Sequence, residues 1–493
     1  MQNQAHLALS VYAIINILFI LFLFCGHIGF PLNLDLMEGT VLQHFRQAVE
    51  GKAIYPNPTP SFVPLAYNPL YYIIAVPFSW IFGISLFTLR FVAILGAIGC
   101  GLTIYLVVKE KTRSRWWGLI GAGIFATAYR AMDAYLDTAH SDSWLVFSAL
   151  LGSYIIWKNR SRGWNLAGIV VLVSSFWFKQ HGALFAIGGL LYLTLREGLK
   201  RSWPYWLAAI VLGPVLYMFI GPAVFGPRFH YFTWEVPGRW SSFNIATGNR
   251  ILRYAVRFFP ILGFAAAFST LRSGLGKRLK IGIWELQFIF AALTGLMGAL
   301  DAGSSDNVFI PMSVFFIVTG TFGLYELGSR IHMVTRYRLH LVALFVTFGV
   351  LVYNPRTVIT SPDAGRKYDE FIDLLQNLDG PVYAPSLGQL QTGFTFFPAA
   401  HWVALEDMIR RPGFDPRDHP NTRALLEPAI HPQGPAYILA NKPLKSRPWI
   451  AFLEDHYELE ADFGDRFKAL RALPKRWDHG WPRYLYRHSQ KSE

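Results

Sequence analysis

The sequence predicts a helical membrane protein of many spans with a small soluble α/β domain at its C-terminal end. Three observations predict this fold class. Hydrophobic residues make up 53% of the 493-residue chain and charged residues only 15%, where soluble domains carry about 25% charged residues. Apolar runs recur from residue 7 to residue 354, and several approach the roughly 20 residues that a helix needs to cross a bilayer. From about residue 360 the composition becomes that of a soluble chain. The boundary falls near residue 355, giving a membrane part over 1–355 and a soluble part over 356–493.

About eleven spans are expected, at 7–28, 86–108, 117–132, 143–157, 164–178, 182–195, 204–222, 256–271, 284–300, 308–327 and 339–354. Trp116, Trp117, Trp164, Trp203, Tyr205 and Trp206 sit near the ends of these runs, where amphipathic rings prefer the headgroup level. Every second loop is basic, with Lys109 to Arg115, Lys158 to Arg162, Arg196 to Arg201, Arg272 to Lys280 and Arg330 to Arg338. Positive loops stay on the cytoplasmic side, so the N-terminus is expected inside and the C-terminal domain outside. Leu70–Phe82 is apolar but short and contains Pro77; counting it as a span would reverse every later loop, so it reads as an interfacial or re-entrant helix.

The net charge of +14 lies in these short loops rather than on an aromatic-interleaved basic face, which argues against nucleic acid. Cys25 and Cys100 both fall in apolar runs, so neither a disulfide framework nor a thiolate metal site is expected. Residues 7–30 are too long for a cleavable leader and lack a small-residue cleavage site. No phosphate-binding P-loop or dinucleotide glycine motif is present. In the soluble part, Glu370–Leu378 reads as an amphipathic helix, and Pro381–Ala384, Trp402–Leu405 and Ala436–Ala440 as strands.

Ionisable groups concentrate in the loops expected outside. Asp35 and Glu38 precede a helical stretch from Thr40 to Glu50. A general base for an acceptor hydroxyl is one reading, and a helix-capping box is the other. Asp137, His140 and Asp142 precede a span. Asp142 alone would cap that helix, whereas three such groups at a membrane edge are costly and point to function. With Asp35 and Glu38 they would hold Mg²⁺ or Mn²⁺ through oxygen ligands. Lys179, His181, Arg90 and Arg253 read either as snorkelling or helix-end groups or as ligands of a lipid phosphate. The polar loop Asp301 to Asn307 reads as turn chemistry.

In order along the chain, Asp35-Leu-Met-Glu38-Gly39, Gly51-Lys-Ala-Ile-Tyr55, Asn68-Pro69-Leu70-Tyr71-Tyr72, Arg90, Asp137-Thr-Ala-His140-Ser-Asp142-Ser143, Lys179-Gln180 and Gly303 to Asn307-Val-Phe-Ile-Pro311 resemble the motifs of the GT-C-fold glycosyltransferases that use polyprenyl-phosphate sugars. That group includes protein O-mannosyltransferases and lipid A aminoarabinose transferases. The resemblance covers roughly residues 1–355. Two positions depart from it: Met37 stands where an adjacent acidic pair would have its Asp, and His140 replaces the usual Arg.

The resemblance implies a membrane glycosyltransferase in a bacterial plasma membrane. It would move a hexosyl or pentosyl group from a polyprenyl phosphate to a hydroxyl of a lipid, polysaccharide or protein, with inversion. It implies Asp35 or Glu38 as base, Lys179, Arg90, His181 and Arg253 at the donor phosphate, and Tyr67, Asn68, Tyr71 and Asn307 in the substrate pocket. A lipid-linked-glycan transporter or flippase is the alternative. It would place charges at the bilayer midplane and show repeats between halves, and neither is evident. A non-catalytic scaffold would leave the carboxylate-rich loops without a purpose.

Overall fold

A computed structural model describes residues 2–241, 245–274, 281–301, 304–328, 333–387, 397–398, 400–410, 420–431, 433–446, 450–471, 473 and 480–489. The first helix, α1 (Gln2–Ile28), is followed by α2 (Glu38–Val49) and α3 (Leu70–Phe82). Next come α4 (Leu86–Thr112), α5 (Arg115–Thr127), α6 (Asp142–Lys158), α7 (Arg162–Phe178) and α8 (Ala183–Glu197). Local chemistry sets the breaks. Ser85, Ser114 and Ser161 each accept an amide of the following turn, which supplies one of the donors that a helix start leaves over. Arg113 and Asn159, at φ 55° and 43°, turn the chain out of α4 and α6.

Then α9 (Leu199–Ile210) continues through a wider π-helical stretch (Val211–Ile220) to Gly221–Phe225. After it run α10 (Ile245–Phe258), α11 (Pro260–Gly274), α12 (Ile283–Leu300), α13 (Ile310–Gly328) and α14 (Met333–Leu351). Pro260 interrupts the expected 256–271 span, and α10 and α11 meet at 107°. A proline cannot continue the ladder of the preceding turn. The buried helix α13 is the axis of the bundle. A Cβ at Gly320 would collide with the Leu262 carbonyl, and one at Gly323 would come within 2.6 Å of that of Ala265. Small residues let α11 and α13 approach backbone to backbone, as membrane helices require.

The chain is an integral membrane protein. By length and composition five segments suffice to cross a membrane: Gln4–Ile28, Leu86–Thr112, Leu199–Phe225, Ile283–Leu300 and Asp306–Gly328; the α10–α11 pair makes a sixth if taken as one span. Helices stand at the other expected positions too, but α5 to α8 have only 13 to 17 residues. α3 keeps its expected bounds, with Pro77 inside.

The soluble part has a sheet in the order β1 (Val382–Tyr383), β2 (Tyr437–Ala440), β4 (Tyr484–His488), β3 (Tyr457–Asp462). β1 and β2 are parallel and the remaining pairs antiparallel. The amphipathic helix appears as α15 (Ala364–Gln376). Trp402–Leu405, expected as a strand, is instead the start of a helix, α16 (Trp402–Ile409), with His401 accepting the Val403 amide as its cap. Trp402, Val403, Ala404 and Leu405 are all buried, and a short apolar run buried all round has no period that separates strand from helix. Helix α17 (Pro420–Ile430) follows it.

This domain sits on the loops at one end of the bundle. Asn33 donates to the Ser386 carbonyl, Ala400 to that of Pro60, Leu473 to that of Leu34, and the Trp240 indole to that of Asp407.

Candidate active site

At the domain-side end of the bundle, the loop after α1 is organised around Arg90 of α4. Its Nε and Nη2 grip both oxygens of Glu38 at 3.0 and 2.6 Å. The other three N–H groups donate to the carbonyls of His27, Phe30 and Leu32. All five guanidinium donors are thereby used. Glu38 also accepts the amides of Leu34 and Ala139, and both side chains are fully buried. This pair is the internal brace of two loops: Arg90, expected at a donor phosphate, and Glu38, expected as a base, spend their donors and acceptors inside the protein.

Of the two carboxylates in this loop, Asp35 is the one that lines the cavity. Tyr135 donates to its Oδ1 at 2.5 Å, His140 Nε2 lies 2.9 Å from its Oδ2, and the Met37 amide donates to the same oxygen at 3.0 Å. The last bond is an Asx turn, so the capping-box reading gives way: α2 has no side-chain cap. Tyr135 and His140 come from the loop between α5 and α6, where Asp133 and Ala134 hold φ of 60° and 56°. Two consecutive left-handed non-glycine residues are strained, and here they aim Tyr135 back at Asp35.

Lys179 ends α7 and pairs with Asp142 Oδ1 at 2.9 Å, its ammonium 5.1 Å from the centre of the Tyr67 ring. Asn307 lies 3.4 Å from the other Asp142 oxygen. Gln180 fixes the turn by donating to the carbonyls of Ala66 and Thr233. Asp35, Tyr67, Tyr135, Lys179, His181 and Asn307 all line one cavity of about 410 Å³. Burial and the neighbouring Lys179 push the His181 imidazole down to about 3, so it is neutral.

The other expected site residues go elsewhere. Asn68 donates to the Phe176 carbonyl and Tyr71 to that of Leu89, both inside the protein. Arg253 is exposed on α10 and donates to the Asn249 carbonyl. Asp137 accepts Tyr129 and meets His27 Nδ1 at 2.6 Å, while His27 Nε2 faces the Val358 carbonyl at 2.7 Å. The metal expected on Asp137, His140 and Asp142 finds no common site. Each binds a different partner, and no group of three suitable ligands converges among the described residues.

Sequence reasoning did not identify which residues the C-terminal domain brings to the cavity. Helix α16 and the residue after it bring Val403, Glu406, Asp407 and Arg410 to the cavity, beside Asp301 and Trp240. Asp407 pairs with Arg410 at 2.9 Å. Burial raises Asp407 to about 7 and Asp301 to about 6. Asp407 Oδ2 and Asp301 Oδ1 have no hydrogen-bond partner among the described residues. The expected strand stopped at Leu405, so Glu406 and Asp407 were assigned to no element and no face.

Trp234 lines both this cavity and a second, apolar one of about 540 Å³ between α7, α8 and the π-helical stretch, walled by Phe176, Leu190, Trp206, Ile210 and Tyr217. A chamber that holds the charged groups thus adjoins an apolar one at the Trp234 ring.

The chain has the GT-C fold of membrane glycosyltransferases. It is similar to the crystal structure of ArnT from Cupriavidus metallidurans in the apo state, with a TM-score of 0.56, 11% identity, and 97% and 98% of the two chains covered. The same enzyme bound to undecaprenyl phosphate gives a TM-score of 0.51 at 12% identity over 97% and 98% of the chains. The oligosaccharyltransferase of Archaeoglobus fulgidus, in complex with Zn and sulfate, gives 0.53 at 12% identity over 91% of this chain and 71% of that one. No protein-family model and no curated protein sequence matches.

Proposed function

We propose that the protein is a glycosyltransferase that takes a sugar from a polyprenyl phosphate and passes it, with inversion, to a hydroxyl on the extracytoplasmic side. The observation that carries the reading is that the Asp35 carboxylate and the Lys179 ammonium line the same cavity. In the proposed step the acceptor oxygen attacks the anomeric carbon while Asp35 takes the hydroxyl proton. The bond from that carbon to the phosphate oxygen breaks, and the electron pair leaves with the lipid phosphate. Tyr135, His140 and the Met37 amide fix the position of the Asp35 carboxylate. Lys179 faces the charge that develops on the departing phosphate, the kind of fixed electrostatic partner that lowers a barrier most. The apolar chamber beyond Trp234 suits the isoprenoid chain, and the ArnT structure with undecaprenyl phosphate supports this assignment by analogy of fold. No step is routed through a metal ion.

Sugar transfer from a panel of radiolabelled polyprenyl-phosphate sugars by the purified protein tests the reading. Asp35→Asn is expected to lower turnover by a factor on the order of 100 to 10,000, the usual worth of a general base. Wild-type turnover in that variant would remove Asp35 from the chemistry. Movement of an intact lipid-linked glycan across vesicles, without transfer, would establish the transporter instead.

A further inference from the structure

Helix α10 shows an unusual exposed face. Its buried side carries Thr247 and Tyr254, whose hydroxyl meets the Ala131 carbonyl and Ser313. Arg250 also turns inward, donating to Ser304, the Ser305 carbonyl and Asp306. On the other side Ile245, Leu252 and Val256 are 83%, 63% and 60% exposed. At one residue per 100° these three fall in one narrow stripe. Arg253 and Arg257, also exposed, form the adjoining stripe, and neither meets a carboxylate among the described residues. Because α11 runs beside the axial helix α13 and α10 leaves it at 107°, α10 lies close to the plane of the membrane, at the end of the bundle that bears the soluble domain.

An apolar stripe beside a cationic one, on a helix lying in that plane, has the form of an interfacial helix seated in a leaflet. We propose that α10 docks on the anionic phospholipids of the domain-side leaflet, with Ile245, Leu252 and Val256 among the upper acyl carbons and Arg253 and Arg257 on lipid phosphates. Charge complementarity selects this occupant: two cations that meet no carboxylate among the described residues, beside the acyl boundary, favour headgroups with net negative charge. The docking stands whether or not the protein transfers sugar.

The test uses the full chain with Cys25→Ser and Cys100→Ala and a single Leu252→Cys that carries an environment-sensitive fluorophore. The protein is placed in phosphatidylcholine bilayers with and without phosphatidylglycerol. Quenching of the label by shallow brominated lipid, together with protection from aqueous iodide, is expected. Phosphatidylglycerol should deepen the label in a saturable way, and Arg253→Gln with Arg257→Gln should raise the half-saturating fraction roughly tenfold or more. One surface arginine is worth about 1 kcal/mol toward anionic lipid, or about fivefold. Both arginines lie on the surface, so the double variant keeps the fold. Free access of iodide overturns the proposal, as does a titration unchanged in the double variant. A response to polyprenyl phosphate and none to phosphatidylglycerol overturns it too, in favour of a donor-phosphate site on α10.

Discussion

At the residue scale, the two carboxylates of the first long loop, only three positions apart, have opposite fates. Glu38 is enclosed by Arg90 and two amides, whereas Asp35 lines the cavity. Arg90→Met should therefore act on folding, leaving a buried carboxylate without its counter-charge at a cost of about 3–5 kcal/mol; thermal unfolding in detergent would register it as a large fall in midpoint. A midpoint close to wild type would mean that water replaces the guanidinium. Ala134→Gly works in the other direction. At φ 56° an L side chain is strained by about 1–2 kcal/mol, so glycine should raise the midpoint modestly. The positions of Asp35 and Lys179 were legible in the sequence because charge at a membrane edge is conspicuous. The division of labour between Asp35 and Glu38 was not, since it depends on an arginine 52 residues further on. Tyr135 was also invisible, because nothing local distinguishes a tyrosine that orients a carboxylate from one that packs.

At the element scale, apolar length and prolines made most helices legible, including α3 with its Pro77. The 107° corner between α10 and α11 was not, since the expected span 256–271 was read straight across Pro260. The turn that carries Lys179 is held by contact rather than by propensity. A Cβ on Gly182 would run into the backbone of Ser175 and Phe176. Gly182→Ala should push the α7–α8 turn apart and displace Lys179. The measurement is donor affinity, expected to weaken by tenfold or more while the far-ultraviolet circular dichroism stays helical; unchanged affinity would show that the turn yields elsewhere.

At the scale of the whole molecule, the soluble domain roofs the cavity with α16, and its carboxyl groups give the roof a pH dependence. Burial raises Asp407 from 3.8 to about 7. A carboxyl with a raised folded-state value is most stabilising while protonated, below its unfolded value. That contribution is lost as pH rises through about 7, at about 1.4 kcal/mol for each unit of displacement. The domain should therefore lose stability between pH 4 and pH 7, and Asp407→Asn should flatten the profile. Hydrogen exchange of the α16 amides at several pH values would measure it, and an equally steep profile in the variant would assign the effect to another group. The strands near Val382 and Tyr437 were readable from the sequence, but the docking of the domain onto loops 29–69 and 223–255 was not, because those contacts are single hydrogen bonds to backbone carbonyls from residues with no distinctive pattern.

The Arg90 brace also bears on how the chain is made. Its cation belongs to α4, while its acceptors lie in the segment from His27 to Glu38, which leaves the ribosome earlier. Until α4 has been inserted, that segment has no counter-ion for Glu38 and no donors for three carbonyls. Arg90, meanwhile, sits in the second turn of α4, near the membrane edge, where its charge has no carboxylate until the loop closes on it. Biogenesis is thus ordered: the loop waits at the membrane surface, and the arrival of the second long helix both closes it and shelters the arginine.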